Sequence, residues 1–312
     1  MYDLIVIGLG PAGMTSAIYS ARREMKTLVI GKELGGQLVW ASEIENYPGT
    51  PNIPSFELVE SMKKQVIDSG AEILSDEVKQ IDVDSEGNFV VYTNKQRYSA
   101  SAVILAMGLS PKRLAIPGEN EFAARGISYC ANCDGPFYKK KDVVVVGGGN
   151  SALDAAEVLS KMANKVYLVH RGAKFSGFES LVNDIEKRSN IEIMFNSEIK
   201  EIKGDVKVNS IDIYNNVSQK IENVKVDGVF IEIGRIASTD LVADLVERNL
   251  KNQIEVNARC ETKTKGLFAA GDVTSCEVKQ ITVATGQATI AALAAYKYLQ
   301  MTTGKSFVDR KY

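Results

Sequence analysis

Short, unbroken apolar runs alternate along this chain with stretches of helical periodicity, and twice the junction between them is rich in glycine. Residues 3–7, Asp-Leu-Ile-Val-Ile, form the first run, of the kind that fills a strand buried on both faces. It leads into Gly8-Leu9-Gly10-Pro11-Ala12-Gly13, a helical stretch to about Arg23, and a second run, Thr27-Leu-Val-Ile30. The same order returns at Asp142-Val-Val-Val-Val146, Gly147-Gly148-Gly149-Asn150-Ser151-Ala152, a helix to about Met162 and a strand over Val166–Val169. Gly8, Gly10 and Gly13 correspond to Gly147, Gly149 and Ala152 at a constant offset. Each is a βαβ unit with small residues at the tight turn, at the closest approach to a pyrophosphate, and where helix meets strand.

Between the two repeats the pattern predicts a helix from Phe56 to Gly70 and short strands over 71–105 that end at Ala102-Val-Ile-Leu-Ala106. Met107-Gly108-Leu-Ser-Pro111 breaks that pattern, and 111–117 reads as a linker. Beyond the second repeat, 178–234 reads as a helix followed by strands. The chain then crosses back to Gly266-Leu-Phe-Ala-Ala-Gly271-Asp272 and a long alanine-rich helix from Gln280 to Leu299. The expectation is an α/β protein of two Rossmann-like dinucleotide-binding domains, the second inserted in the first: 1–114 with 242–312, and 115–241.

Composition narrows the setting. With 312 residues the chain can build two cores, and 37 basic against 39 acidic residues give no general reason to expect nucleic acid or an anionic membrane as partner. No apolar run reaches the length of a membrane span, and the start reads as a strand rather than a signal peptide. A soluble cytoplasmic protein is expected. Four cysteines with one close pair argue for a working dithiol in a reducing compartment.

That pair stands in Cys130-Ala-Asn-Cys133-Asp134-Gly135. Two such thiols can close into a small disulfide, with Asp134 supplying or removing a proton, or they can be half of a zinc site. Zinc would need two more ligands, and His170, Cys260 and Cys276 stand in no paired spacing, so no metal is expected. Asp134 has a rival role as a helix N-cap. The glycine turns leave backbone N–H groups and helix N-termini for phosphates. Glu33 lies three residues past the second strand, off the usual place for a ribose ligand. After Val166–Val169 there is no carboxylate, while Arg171 and Lys174 can meet a 2′-phosphate, which favours NADPH over NADH; a basic surface turn is the alternative. Asp272, at a strand end, suits a polyol hydroxyl or a turn cap.

Taken together, these residues resemble the bacterial-type low-molecular-weight thioredoxin reductases over almost the whole chain. The shared motifs, in order, are Gly8-x-Gly-x-x-Gly13, Gly35-Gly36-Gln37-Leu38 with Glu45-Asn46-Tyr47-Pro48-Gly49, the Cys130–Gly135 centre, Gly147–Ala152, and Phe268-Ala-Ala-Gly271-Asp272-Val273. The resemblance implies FAD on Gly8, Gly10, Pro11, Ala12, Gly13, Gly31, Lys32, Glu33, Gly35, Gly36, Gln37, Leu38, Asn46, Gly108, Gly271, Asp272, Lys279, Gln280 and Ile281. It implies NADPH on Gly147, Gly149, Asn150, Ser151, Ala152, His170, Arg171 and Lys174. It also implies a homodimer, a Cys133 that faces the flavin, a Cys130 that attacks thioredoxin, and an Arg125 that helps receive it. Of the family's His-Arg-Arg-x-x-x-Arg signature only His170 and Arg171 stand here, with Gly172 and Ser176 in the other arginine places. Related flavoproteins without those arginines draw electrons from ferredoxin or another donor, and NADH as donor or oxygen and peroxide as acceptors are further alternatives. Pro136-Phe137 replaces a Phe-Phe pair, and Arg235-Ile-Ala-Ser238 replaces a His-x-Pro-Asn turn. Since dithiol and nicotinamide site share one domain and the flavin belongs to the other, a rotation near residues 111–117 and 235–245 is expected between half-reactions.

Overall fold

A computed structural model describes residues 1–40 and 43–304; residues 305–312 of the expected first domain lie outside them. The chain divides into two compact units, Met1–Ser110 with Ile236–Tyr312, and Pro111–Arg235. Both crossings are single passes of chain. On the second unit's side they run next to each other, with the Lys112 N–H donating to Gly234 O at 2.9 Å.

In the first unit β1 (Tyr2–Ile7), α1 (Pro11–Ala21) and β2 (Thr27–Gly31) form the expected βαβ unit, followed by α2 (Ser55–Asp68) and β3 (Glu72–Ser75). A meander of β4 (Val78–Val83), β5 (Phe89–Thr93) and β6 (Arg97–Leu105) closes this stretch. The strands lie in the order β3-β2-β1-β6-β5-β4, with β1 parallel to both β2 and β6. An apolar run with no polar alternation has to be covered on both faces, and it is. Leu4 and Val6 pack with Met14, Leu58 and Ala292 on one side, while Ile5 and Ile7 pack with Phe89, Val91 and Ile254 on the other. All four are at most 4% exposed. Each such burial contributes about 1.5–3 kcal/mol, so this run stabilises the sheet whatever its intrinsic strand preference.

The second unit opens with β7 (Ile127–Ser128) and a one-turn helix α3 (Ala131–Asp134), then β8 (Asp142–Val146), α4 (Asn150–Ser160) and β9 (Lys165–Val169). There follow α5 (Glu179–Glu186), β10 (Ile191–Met194), an antiparallel trio β11 (Ser197–Gly204), β12 (Val208–Asn215) and β13 (Lys220–Lys225), and β14 (Gly228–Ile231). Its parallel sheet runs β7-β14-β8-β9-β10. The valines of β8 divide as the residues of β1 do: Val143 and Val145 go to one cluster, Val144 and Val146 to the other. On return to the first unit, β15 (Leu267–Ala269) pairs with β6, and α6 (Ile281–Thr303) lies along α1. Alanines 288, 291, 292 and 295 face inward on α6, and their small side chains let it approach until the Ser16 hydroxyl donates to Ala288 O at 3.3 Å.

Candidate active site

Each glycine turn is a strand end running straight into a helix, and the three glycine positions are not equivalent. At Gly8 φ is +119°, and a Cβ would lie 2.1 Å from Ala106 O; a Cβ at Gly13 would lie 1.8 Å from Gly8 O. The protein's own backbone demands those two glycines. At Gly10 nothing comes nearer than 4.0 Å, so the fold itself would accept a side chain there. The second unit repeats this: a Cβ at Gly147 would lie 2.3 Å from Glu232 O, whereas at Gly149 the nearest atom is Ser176 Oγ at 3.8 Å. Neither α1 nor α4 has a side chain capping its N-terminus. Bare helix N-termini beside a glycine that only an incoming group could require fit the phosphates of a dinucleotide.

Around the first turn the sequence-predicted residues gather at the carboxyl ends of β1, β2 and β15. Gly35 N–H donates to Leu9 O at 2.8 Å, which places the Gly36–Trp40 turn, a 3₁₀ segment rather than an open loop, against Gly10. The Gln37 amide donates to the Asp272 carboxylate at 2.9 Å, near Gly108. Asn46 donates to the Gln280 side chain at 3.1 Å, with Gln280 at the N-cap of α6 next to Ile281. Lys279 Nζ donates to Asp272 O and Thr274 O at 3.0 and 2.7 Å, and desolvation lowers its ammonium below the usual lysine range. Gly31 packs on Leu9, Gly271 packs on Ala12, and Leu38 is buried, while Lys32 and Glu33 at the end of β2 are exposed. Pro11 opens α1. Sequence reasoning missed Gln287, whose side-chain oxygen accepts from Gly271 N–H at 2.9 Å and lies 3.2 Å from the Thr274 hydroxyl. Its one signal is its place two turns after Gln280 on the same helix.

Around the second turn Asn150 Oδ1 accepts from Phe178 N–H at 2.7 Å, and Ser176 N–H and Oγ both donate to Gly148 O, at 2.8 and 3.2 Å. Ser151 is exposed at the start of α4, and Ala152 is fully buried. The His170 ring lies against Gly148 and Gly172, packs near Phe175 and Phe195, and is tied by Nε2 to Lys174 O at 3.1 Å. A Cβ at Gly172 would come within 2.7 Å of His170 Nε2, so the glycine in the family's arginine place makes room for this imidazole. Arg171 and Lys174 are exposed at the same strand end.

Cys130 and Cys133 are joined in a disulfide, Cα to Cα 5.4 Å. Cys130 is the N-cap of α3, its sulfur accepting from Cys133 N–H at 3.1 Å; Asp134 makes no side-chain capping bond, so the rival role for it falls away. Cys130 is 8% exposed, while Cys133 faces outward. The buried Ser128 hydroxyl lies within 3.2 Å of both Cys130 N and Cys130 O. Next door, Tyr129 donates to Glu119 at 2.6 Å, and that fully buried carboxylate also accepts from Leu114 and Ala115 N–H at 3.1 and 2.6 Å. Burial first, and Glu119 after it, push the Tyr129 phenol above its ordinary range. The segment leading into the dithiol is thereby fastened to the segment that enters the unit. Asp134 is half-buried and close enough to Tyr138 to add to the rise that desolvation causes in that phenol. Arg125 is exposed and held by Val206 O and Glu121 O. Cys260 is buried in the first unit's core, its thiol pushed up to about 11 mainly by desolvation, which suits packing rather than reactivity.

Two glycine-turn units, one of them bearing a dithiol, define a class, and the chain belongs to it: the pyridine nucleotide-disulphide oxidoreductase family matches residues 2–288. Within that family it is 38% identical to a thioredoxin reductase of Bacillus subtilis over 96% of this chain and 95% of that one. Among solved structures it superposes on the Lactococcus lactis thioredoxin reductase in its FR conformation with TM-score 0.87, at 36% identity, covering 96% of this chain and 100% of that one. It is also similar to a ferredoxin-flavin thioredoxin reductase of Clostridium acetobutylicum, with 34% identity, 96% and 99% coverage and TM-score 0.54. Among the described residues no helix is long and apolar enough to cross a membrane.

Proposed function

We propose that this chain is an FAD- and NADPH-dependent thioredoxin-disulfide reductase that works as a homodimer in the cytoplasm. The observation that carries this is the closed Cys130–Cys133 pair in the same unit as the second of two glycine turns, in a chain similar to thioredoxin reductases over 96% of its length. The first unit would hold FAD, on its glycine turn, the Gly35–Leu38 segment, the Gln37–Asp272 pair and Lys279. The second would hold NADPH, with Gly149 open to the pyrophosphate and Arg171 and Lys174 at the 2′-phosphate. FAD, when bound, supplies the two-electron relay between nicotinamide and disulfide.

The remaining chemistry belongs to this chain's sulfurs. Two electrons and two protons open the Cys130–Cys133 bond. The Cys130 thiolate attacks the thioredoxin disulfide, a mixed disulfide forms, and one thioredoxin thiolate leaves. Asp134 delivers the proton to that leaving sulfur. The Cys133 thiolate then attacks Cys130 Sγ, releasing reduced thioredoxin and restoring the disulfide. Cys130 is the less exposed of the two cysteines. A rotation about the crossings near residues 111–117 and 235–245 lets dithiol and nicotinamide reach the flavin in turn. Arg125 helps receive the partner.

Anaerobic addition of NADPH to the purified yellow protein tests the reading. The flavin should bleach within the time of turnover, and Cys130→Ser or Cys133→Ser should lower thioredoxin reduction at least about 10³-fold while bleaching by NADPH persists. A colourless protein, or full activity in Cys133→Ser, would sink it. Ferredoxin as donor is the second reading, favoured by Gly172 and Ser176 in the arginine places; reduced ferredoxin that bleaches the flavin where NADPH does not would establish it.

A further inference from the structure

Glu232 stands just past the carboxyl end of β14, with its backbone carbonyl against Gly147. β14 and β8 are the neighbours at which the strand order of the second sheet reverses, so Glu232 borders the crevice where such sheets take a dinucleotide. The two flanks of that crevice differ in charge. On the β9 side stand His170, Arg171 and Lys174, with no carboxylate at the strand end. On the β14 side is Glu232, and the charged groups that act on it are Arg235 from its own segment and Asp154 from α4.

Desolvation pushes the Glu232 carboxyl up to about 7; the Arg235 guanidinium works against this rise and Asp154 adds to it. Asp154 is itself pushed up, by partial desolvation and then by Glu157. Arg235, which stands where the resembling family has a histidine, is thus the counterweight to a carboxyl that the fold keeps largely from water. A group poised near neutrality changes charge on a small electrostatic input.

A dinucleotide with its pyrophosphate on the glycine turn and its 2′-phosphate at the basic β9 end turns its nicotinamide half toward β14. The reduced ring is neutral and the oxidised ring carries a positive charge. We propose that Glu232 is a positioning residue for the nicotinamide half of the donor, keeping a proton beside the reduced ring and losing it to bulk water beside the oxidised one. The inference rests on the donor reading above. One proton leaves the carboxyl for each ring that becomes cationic, no electrons pass through Glu232, and no bond to the ring forms.

The test uses the FAD-loaded protein and two probes, NADP⁺ and its tetrahydronicotinamide analogue, which has a neutral ring and cannot reduce the flavin. Their dissociation constants are measured by equilibrium dialysis at intervals from pH 6 to pH 8. Protonation of the 2′-phosphate affects both probes alike and cancels in their ratio. The ratio for NADP⁺ over the analogue should fall about tenfold across this range, as one titration centred near 7 requires, and should be flat in Glu232→Gln. Asp154→Asn should move the midpoint to lower pH and Arg235→Gln to higher pH, opposite shifts that a merely structural role would not produce. A wild-type ratio that stays constant, or one that Glu232→Gln leaves unchanged, overturns the proposal while leaving the donor reading intact. Failure of both probes to bind at every pH overturns the donor reading and this proposal with it.

Discussion

The first and second glycine turns meet nearly the same backbone constraint, a carbonyl 2.1 Å from a Cβ at Gly8 and 2.3 Å from one at Gly147, in very different company. Around the first, side chains from distant segments are bonded to one another, with Gln37 on Asp272, Asn46 on Gln280, and Lys279 on two carbonyls. Around the second, the strand ends carry separate charges, basic beyond β9 and a desolvated acid beyond β14. One is a cradle joined side chain to side chain, suited to a resident group; at the other the bonds run from side chain to backbone and the charges stand apart, which suits a ligand that comes and goes. A glycine turn thus selects for phosphates, while its neighbours decide which nucleotide, and for how long.

The sharpest way to break this comparison is steric. Gly8→Ala and Gly147→Ala drive a methyl into backbone and should each cost more than about 3 kcal/mol, seen as loss of soluble folded protein or a large drop in urea midpoint. Gly10→Ala should unfold at the wild-type midpoint yet purify with little flavin. Equal destabilisation at Gly8 and Gly10 would show that the open position is structural.

A smaller effect separates the two crevices by charge. Removing both Arg171 and Lys174 as alanines should raise KM for NADPH on the order of 100-fold, leave KM for NADH within about threefold, and leave flavin content unchanged. If both donors weakened alike, the basic strand end would not be reading a 2′-phosphate.

The smallest expected effect concerns stability. The Glu232 carboxyl titrates at about 7 in the native state, above its ordinary 4.5, so the native state holds this proton the more tightly. The stability it confers is present below about pH 4.5 and lost as pH rises through 7, on the order of 3 kcal/mol in all. Hydrogen exchange of β8 and β14 amides should therefore quicken between those pH values in wild type more than in Glu232→Gln, and an identical pH trend in both would count against it.

Much of the architecture is legible in the chain because its causes are local. Runs such as Leu4–Ile7 and Val143–Val146 have no polar position to turn toward water, so each has to be a strand covered on both faces. Gly8 and Gly147 are required by atoms a strand away, but the strand–glycine–helix order that places those atoms is itself sequential. The dithiol is equally local, with its two cysteines one helical turn apart. What stayed hidden joins residues far apart: Gln37 to Asp272 across 235 positions, Gln287 to Gly271, and Glu119 to Tyr129 and the entering segment. Even near the dithiol, sequence could not decide whether Asp134 capped the helix, because the capping acceptor is the Cys130 sulfur.

The amino-acid order alone determined the two strand–glycine–helix repeats, where phosphates can approach backbone, and which two sulfurs can join, since each depends on side-chain period, on the absent Cβ of glycine, or on a few intervening residues. Tertiary structure alone decided which cysteine is the more buried, why position 172 is glycine beneath an imidazole, and which carboxyl is partly desolvated near an arginine. Desolvation and crowding come from atoms that arrive from elsewhere in the chain, and no local pattern records their arrival.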